Sequence, residues 1–295
     1  MKKSVFINPF VDRGFKILFG QESSKELLIE LINDLLEGEH HVEDLSYMDK
    51  EDPSETTDGR GVIFDLLCKD QDGTTFIVEL QNARQTYFYE RALYYLCRMI
   101  ASQGKKGESW EFELVPVYGI FLLNFRSGKT DKVRTDLVIA DRETGEQKSR
   151  NFREIFIEFP LFNKTEAECE TPLDYWLYNL KYMEQLEHLS FKGQKALFVR
   201  LEELARIANM NKKERAEYEA ALKIYRDNEN VVTTARREGI QIGEKRGLEK
   251  GRAEGREEGR AEGILITARL MKQNGISFEQ IKLCTGLSDE EIENL

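Results

Sequence analysis

The sequence predicts a mixed α/β core followed by an all-helical C-terminal region. Apolar residues recur at helical spacing near the start and again over 83–103. Runs with strand composition occupy 61–68, 74–81 and 114–125. From Pro172 onward the pattern is helical.

Taken in order, Phe15, Leu18 and Phe19 fall at helical spacing, and Gly20 ends a short helix. Ser23 or Ser24 can cap a second helix, Lys25 to about Glu37. Its apolar stripe is Leu27, Leu28, Leu31, Ile32, Leu35 and Leu36, and Gly38 ends it. Val42 to Met48 is a candidate first strand, and the polar stretch 49–59, with Pro53, reads as a loop. The run 61–68 is apolar except for Asp65, and 74–81 closes on Glu79-Leu80-Gln81. Between them, Asp72-Gly73 is the strongest hairpin signal in the chain. Ala83 to about Gln103 is a helix bounded by Gly104 and Gly107. Tyr87 and Tyr94 on it are expected to be core. Leu114 to Phe125 is a long apolar strand, central after Pro116. Thr135 to Ala140 and Phe152 to Phe159 are further strands, with a turn at Thr144-Gly145 between them.

The helices that follow cover about 172–187, 194–209 and 212–230. Glycine then recurs every four residues from Gly239 to Gly263, with Arg, Lys and Glu between. Each glycine costs a helix about 1 kcal/mol relative to alanine. A period of four drifts by about 40° per step on the helix surface. The reading is a solvated linker or marginal helix, with self-association through close backbone approach as the alternative. Residues 264–295 form a compact tail with capping-box patterns at Ser277-x-x-Gln280 and Ser288-x-x-Glu291. Helix, turn, helix raises DNA binding. The acidic last helix, starting at Asp289, opposes it, so a docking or assembly module is expected.

The 295 residues are 40% hydrophobic and 33% charged, a globular balance with ample material for a core. No apolar run reaches the length of a membrane span. The start, Met1 to Pro9, lacks the apolar core of a secretory leader. Cys68, Cys97, Cys169 and Cys284 are scattered without metal or disulfide spacing. These features lead us to expect a cytoplasmic protein. Three histidines offer little for a zinc site. The net charge of −11 excludes a simple basic nucleic-acid clamp. Any nucleic-acid partner then requires a local basic surface, or metal ions that neutralise phosphate.

The chemistry is concentrated in the hairpin. Residues two apart in a strand share a face, so Glu79 and Gln81 point the same way. If Asp65 shares that face, two carboxylates and an amide converge. A carboxylate in an apolar strand is costly unless it is paired or binds metal. Two on neighbouring strands suit a hard divalent cation with oxygen ligands. The alternatives are a surface carboxylate on an edge strand for Asp65 and a half-exposed polar face for Glu79 and Gln81. Beyond Gln81, Arg84, Arg91, Arg98 and Lys105 recur every seven residues. They form a slowly drifting basic stripe suited to backbone phosphates, or else a solvated face beside Glu90 and Glu108.

Several stretches taken together resemble the recombination-promoting nuclease/putative transposase family of the PD-(D/E)XK nuclease superfamily. They are Asp12-Arg-Gly-Phe-Lys-Ile-Leu-Phe-Gly20, the segment from Phe64 to Gly73 running into Phe76-Ile-Val-Glu-Leu-Gln81, Arg91-Ala-Leu-Tyr-Tyr95, and Pro116-Val-Tyr-Gly-Ile120. The resemblance covers about residues 8–125 well. It implies a restriction-endonuclease-like core, a central mixed sheet flanked by helices with the acidic residues on a central hairpin. It implies Mg²⁺, with Mn²⁺ as a substitute, bound by Asp65 and Glu79, with the Leu80 carbonyl as a further ligand. Gln81 takes the position that is lysine in the superfamily's name and can only orient water by hydrogen bonding. Asp12 adds a third acidic group or serves as a helix N-cap, and both readings stay open. The function so implied is a metal-dependent DNA endonuclease linked to recombination or mobile elements. The competing reading is a non-catalytic interaction or assembly protein on a nuclease-like fold, with a homo-oligomer through the helical C-terminal region left open. The expected division is 1–165 for the nuclease-like core, 166–232 for a helical extension, 233–263 for the glycine repeat and 264–295 for the tail.

Overall fold

The apolar stripes near the start fold as α1 (Asp12–Phe19) and α2 (Lys25–Leu36) in the computed structural model, which describes residues 4–52, 62–104 and 111–295. There follow β1 (Leu45–Tyr47), β2 (Glu51–Asp52), β3 (Val62–Ile63), β4 (Leu66–Asp70), β5 (Thr75–Gln81), α3 (Phe88–Ala101), β6 (Val117–Leu123), β7 (Arg134–Ala140) and β8 (Gln147–Glu158). The chain continues through α4 (Pro172–Tyr182), α5 (Leu197–Ala205), α6 (Lys212–Gln273), α7 (Phe278–Thr285) and α8 (Asp289–Glu293). It divides into two compact units, residues 1–225 and 226–295.

In the first unit, six strands form one sheet in the order β1-β4-β5-β6-β8-β7. The β4–β5 hairpin is antiparallel, and Gly73, at φ +85°, supplies the positive dihedral its turn needs. β5 and β6 are parallel, which requires a crossover, and α3 provides it. β6 and β8 are also parallel, and β7 closes that edge antiparallel to β8. The sheet is therefore mixed, as expected.

Alternation along the strands sends side chains to two cores. Leu66, Cys68, Phe76, Val78, Leu80, Ile120 and Ile155 join the core that also holds residues of α1, α2, α4 and α5. Leu67, Ile77, Phe121, Leu123 and Phe156 pack with Phe88, Ala92 and Leu96 of α3. Both faces are covered, which explains the near-continuous apolar run of β6. A Cβ added at Gly119 would come within 2.7 Å of Leu96, so this glycine lets α3 lie close to the sheet.

α1 is seated just as tightly. A Cβ at Gly14 would lie 2.3 Å from the Asn8 carbonyl oxygen, and backbone cannot yield as a flexible side chain does. Gly14→Ala is expected to destabilise the fold by about 1–3 kcal/mol, the usual range for overpacking. The check is a lower urea midpoint with an unchanged denaturant slope.

Four expectations are corrected. Asp65 lies on a bend, not within a strand. The residues before it are drawn away: β3 pairs with β2, and the Phe64 N–H donates to the Lys50 carbonyl at 2.9 Å. The same pairing makes Glu51 and Asp52 strand where loop is expected; Pro53 and Gly59 lie outside the described residues. α3 begins at Phe88, not Ala83, because Asn82 is tied by its side-chain amide to the Phe10 carbonyl at 2.6 Å and the chain loops before the first buried aromatic. Finally, Tyr87 and Tyr94 are exposed, at 73% and 42%, because Phe88, Ala92 and Leu96 take the inward face of α3.

In the second unit, the remainder of α6 runs helical through all seven glycines, and none has an atom within 4 Å of an added Cβ. Ala268, Ile281 and Ile292 form a small core under α7 and α8. The capping box at Ser288 and Glu291 closes as the sequence pattern predicts. At Ser277 the hydroxyl instead donates to the Gln280 side chain at 3.1 Å. Among the described residues no helix is long and apolar enough to cross a membrane.

Candidate active site

Leu66 pairs with Val78, and the register continued by one step sets Asp65 opposite Glu79. The hairpin thus brings the two carboxylates together. The Asp65 N–H donates to Glu79 Oε1 at 2.9 Å, and the Leu80 N–H donates to Asp65 Oδ2 at 2.9 Å. The Gln81 amide donates to Glu79 Oε2 at 3.1 Å. Among the described residues, nothing donates to Asp65 Oδ1. Glu79 is 2% exposed, which removes the reading of a half-exposed polar strand for it.

The electrostatics are those of a site short of positive charge. Burial pushes the Asp65 carboxyl above its ordinary range, and Lys16 and Arg91 offset this only in part. Burial, then repulsion from Asp65, pushes Glu79 up to about 7. The nearest cation to Glu79 is Arg91, at 3.7 Å, and its guanidinium also lies over the Phe88 and Tyr95 rings. A buried and a half-buried carboxylate, with one long ion pair to Glu79 among the described residues, carry an unmet cost. An oxygen donor set of this kind, with one carboxylate oxygen open, fits a hard divalent cation.

α1 brings a second group of charges to the same place. Asp12 is the first residue of α1 and pairs with Lys16 at 2.5 Å. The N-cap position belongs to Val11, so Asp12 is not the cap. Its negative charge raises the Asp65 carboxyl, which places it among the acidic groups felt at the site. Arg13, Lys16, Tyr47 and Lys50 line one pocket with Asp65. Arg13 is held by Glu217 at 2.8 Å, and its Nε is buried without a partner. Sequence reasoning missed these cations. The signal available for Lys16 is its spacing from Asp12, four residues along one helical face.

Among the described residues, the expected basic stripe does not lie along one helix. Arg84 sits in the loop before α3, beside Gly128. Arg91 is turned inward to Glu79 and donates to Gln85 at 2.7 Å. Arg98 lies two turns along α3, with Tyr94 Oη at 3.4 Å. Lys105 lies outside the described residues. Because the helix starts late, only Arg91 and Arg98 of the four are shown on one element.

A second cluster, His40, Asp70 and Asp72, has metal-ligating side chains, yet it sits at the other end of β4 from Asp65. Asp70 is already committed there. Its Oδ1 accepts the Asp72 and Thr74 N–H groups, and its Oδ2 meets His40 Nε2 at 2.5 Å. That pattern closes the hairpin turn. Sequence reasoning also missed Glu154 of β8. It is buried and pushed up to about 7 by that burial, with Oε1 lacking a partner.

Comparison with known proteins gives one finding. The family model described as a PD-(D/E)XK nuclease family transposase matches residues 9–235, a span that contains the Asp65–Glu79 hairpin, α1 and α3. No curated protein and no solved structure matches the chain.

Proposed function

The chain belongs to the PD-(D/E)XK nuclease family transposases, and from that premise we propose that it is a metal-dependent DNA endonuclease serving recombination or mobile elements. The observation that carries the proposal is the pair of opposed carboxylates, buried Glu79 and half-buried Asp65, each accepting a backbone N–H from the other's segment of the hairpin. Membership supports a nuclease-type hydrolysis; the pair supports its dependence on a divalent ion.

Asp65 and Glu79 would hold Mg²⁺, or Mn²⁺ in its place, with the Leu80 carbonyl as a further ligand. Held there, such an ion would supply a water of lowered pKa and polarisation of the scissile phosphate. The protein's own groups do the rest. The Leu80 N–H fixes one oxygen of Asp65. The Gln81 amide holds one oxygen of Glu79, so it orients that carboxylate and does not act as a proton acceptor. Arg91 balances Glu79 from α3. Arg84 and Arg98, with Lys105, are proposed to hold backbone phosphates to either side. Asp12 is proposed to complete the acidic site through α1. The test is direct: purified chain with Mg²⁺ or Mn²⁺ is expected to nick DNA, and a chelator is expected to stop it. Absence of any nicking with either ion would refute the proposal.

A second reading, a non-catalytic assembly protein on the same fold, draws on the Gln81 amide facing Glu79 where a cation would stand, and on the exposed length of α6. A scaffold of that kind would show no rise in Tm with Mg²⁺, since a ligand stabilises only what it binds. Cytoplasmic location fits either reading. Self-association through α6 belongs to both, and a monomer in sedimentation at all concentrations would remove it.

A further inference from the structure

We propose that Lys16 of α1 is the cation of the active site, filling from a helix the role that the motif assigns to a strand lysine at position 81. The inference rests on the endonuclease reading and extends it to a residue that would touch the substrate phosphate.

Three observations converge on it. Gln81 stands at the motif's lysine position, and its amide is engaged with Glu79 at 3.1 Å. Position 81 therefore supplies no positive charge. Lys16 lines the pocket that contains Asp65, and its side chain is 27% exposed. The side chain thus shares a pocket with Asp65 and is still partly open to a ligand. Asp12, one turn earlier, pairs with its ammonium at 2.5 Å.

The chemistry needs such a group. Hydrolysis of a phosphodiester builds negative charge on the phosphate oxygens and on the leaving oxygen, here beside two carboxylates. A fixed ammonium in the same pocket donates a hydrogen bond to the phosphate and offsets that charge as it develops. Preorganised donors of this type contribute roughly 10²–10³-fold to a rate. In this role Lys16 is a hydrogen-bond donor and not the base. Arg13 and Lys50 share the pocket, but Arg13 is anchored to Glu217 and Lys50 lies outside α1 in the chain before β2. Among the described residues, Lys16 is the one of the three whose partner, Asp12, lies on the same helix beside the pocket.

The test uses four full-length proteins: wild type, Lys16→Ala, Lys16→Ala with Gln81→Lys, and Asp65→Ala. Each is assayed for DNA nicking in Mg²⁺ and for its Mg²⁺-dependent rise in Tm. Lys16→Ala is expected to lose about 10²-fold or more in kcat while its Mg²⁺-dependent rise in Tm is kept. Adding Gln81→Lys is expected to recover at least a tenth of the wild-type rate, because the charge returns from the strand. If Lys16→Ala nicks DNA within threefold of wild type while Asp65→Ala is dead, this inference is wrong and the endonuclease reading stands. A loss in Lys16→Ala that Gln81→Lys does not recover, or that comes with loss of the Mg²⁺ response, also overturns it and leaves a packing role. If wild type itself never nicks DNA, the inference falls together with the reading beneath it.

Discussion

Asp65→Ala and Glu79→Ala are each expected to lower Mg²⁺-dependent DNA cleavage by at least about 10³-fold. A bound metal supplies several kcal/mol of transition-state stabilisation, and each 1.36 kcal/mol is a factor of ten in rate. Neither variant is expected to unfold. Asp65→Ala frees the Leu80 N–H, and Glu79→Ala frees the Asp65 N–H, the Gln81 amide and the Arg91 guanidinium, all at the end of the β4–β5 ladder. Each also relieves a buried charge repulsion. Circular dichroism and denaturant midpoints near those of wild type, together with absent cleavage, would assign the loss to chemistry. Equal cleavage by wild type and both variants would remove the site.

The second large effect is on stability and has a definite sign. Glu79 is pushed up to about 7 in the folded protein, above its ordinary carboxylate range. Between the unfolded value of roughly 4.3 and about 7, the folded state binds more protons than the unfolded one. Without divalent metal, the Glu79 contribution is therefore favourable below that window and is lost as pH rises through it. Glu79→Gln is expected to flatten this slope and to raise the metal-free Tm at pH 8. Glu154 is also pushed up to about 7, so some slope remains in the variant. Mg²⁺ is expected to raise the Tm of wild type at pH 8, and to do so weakly or not at all in Glu79→Gln. Scanning calorimetry from pH 5 to 8, with and without Mg²⁺, reads both effects. A wild-type Tm that does not respond to Mg²⁺ at any of these pH values would favour the scaffold reading.

The parts of the fold that the sequence discloses are those fixed by local physics. The Asp72-Gly73 turn, the stripe of α2, the all-apolar β6 and the Ser288 capping box each follow from residues close in the chain. What it does not disclose depends on pairing at a distance. Nothing local says that Glu51 and Asp52 pair with Val62 and Ile63, and that pairing is what moves Asp65 from strand to bend. The late start of α3 has the same origin, since the Asn82 amide is held by a carbonyl 72 residues away. That shift takes Arg84 off the helix and dissolves the seven-residue stripe.

The candidate site divides in the same way. Asp65, Glu79 and Gln81 are legible because carboxylates in apolar strands need a reason. Arg91 is visible in the sequence as a cation, but not as one turned toward Glu79. Lys16 lies 49 residues from Asp65 in sequence, and only the packing of α1 beside β4 brings them into one pocket. The charge balance of the site is therefore a tertiary property. The family match spans both the hairpin and α1.

The central claim is that Asp65 and Glu79 together hold a divalent metal. A crystal soaked in Mn²⁺ and measured for anomalous scattering tests it directly. The expected result is a peak between the Asp65 and Glu79 carboxylates, absent in Glu79→Gln crystals. A peak at His40, Asp70 and Asp72 alone, or none within coordinating distance of Asp65, would contradict the account.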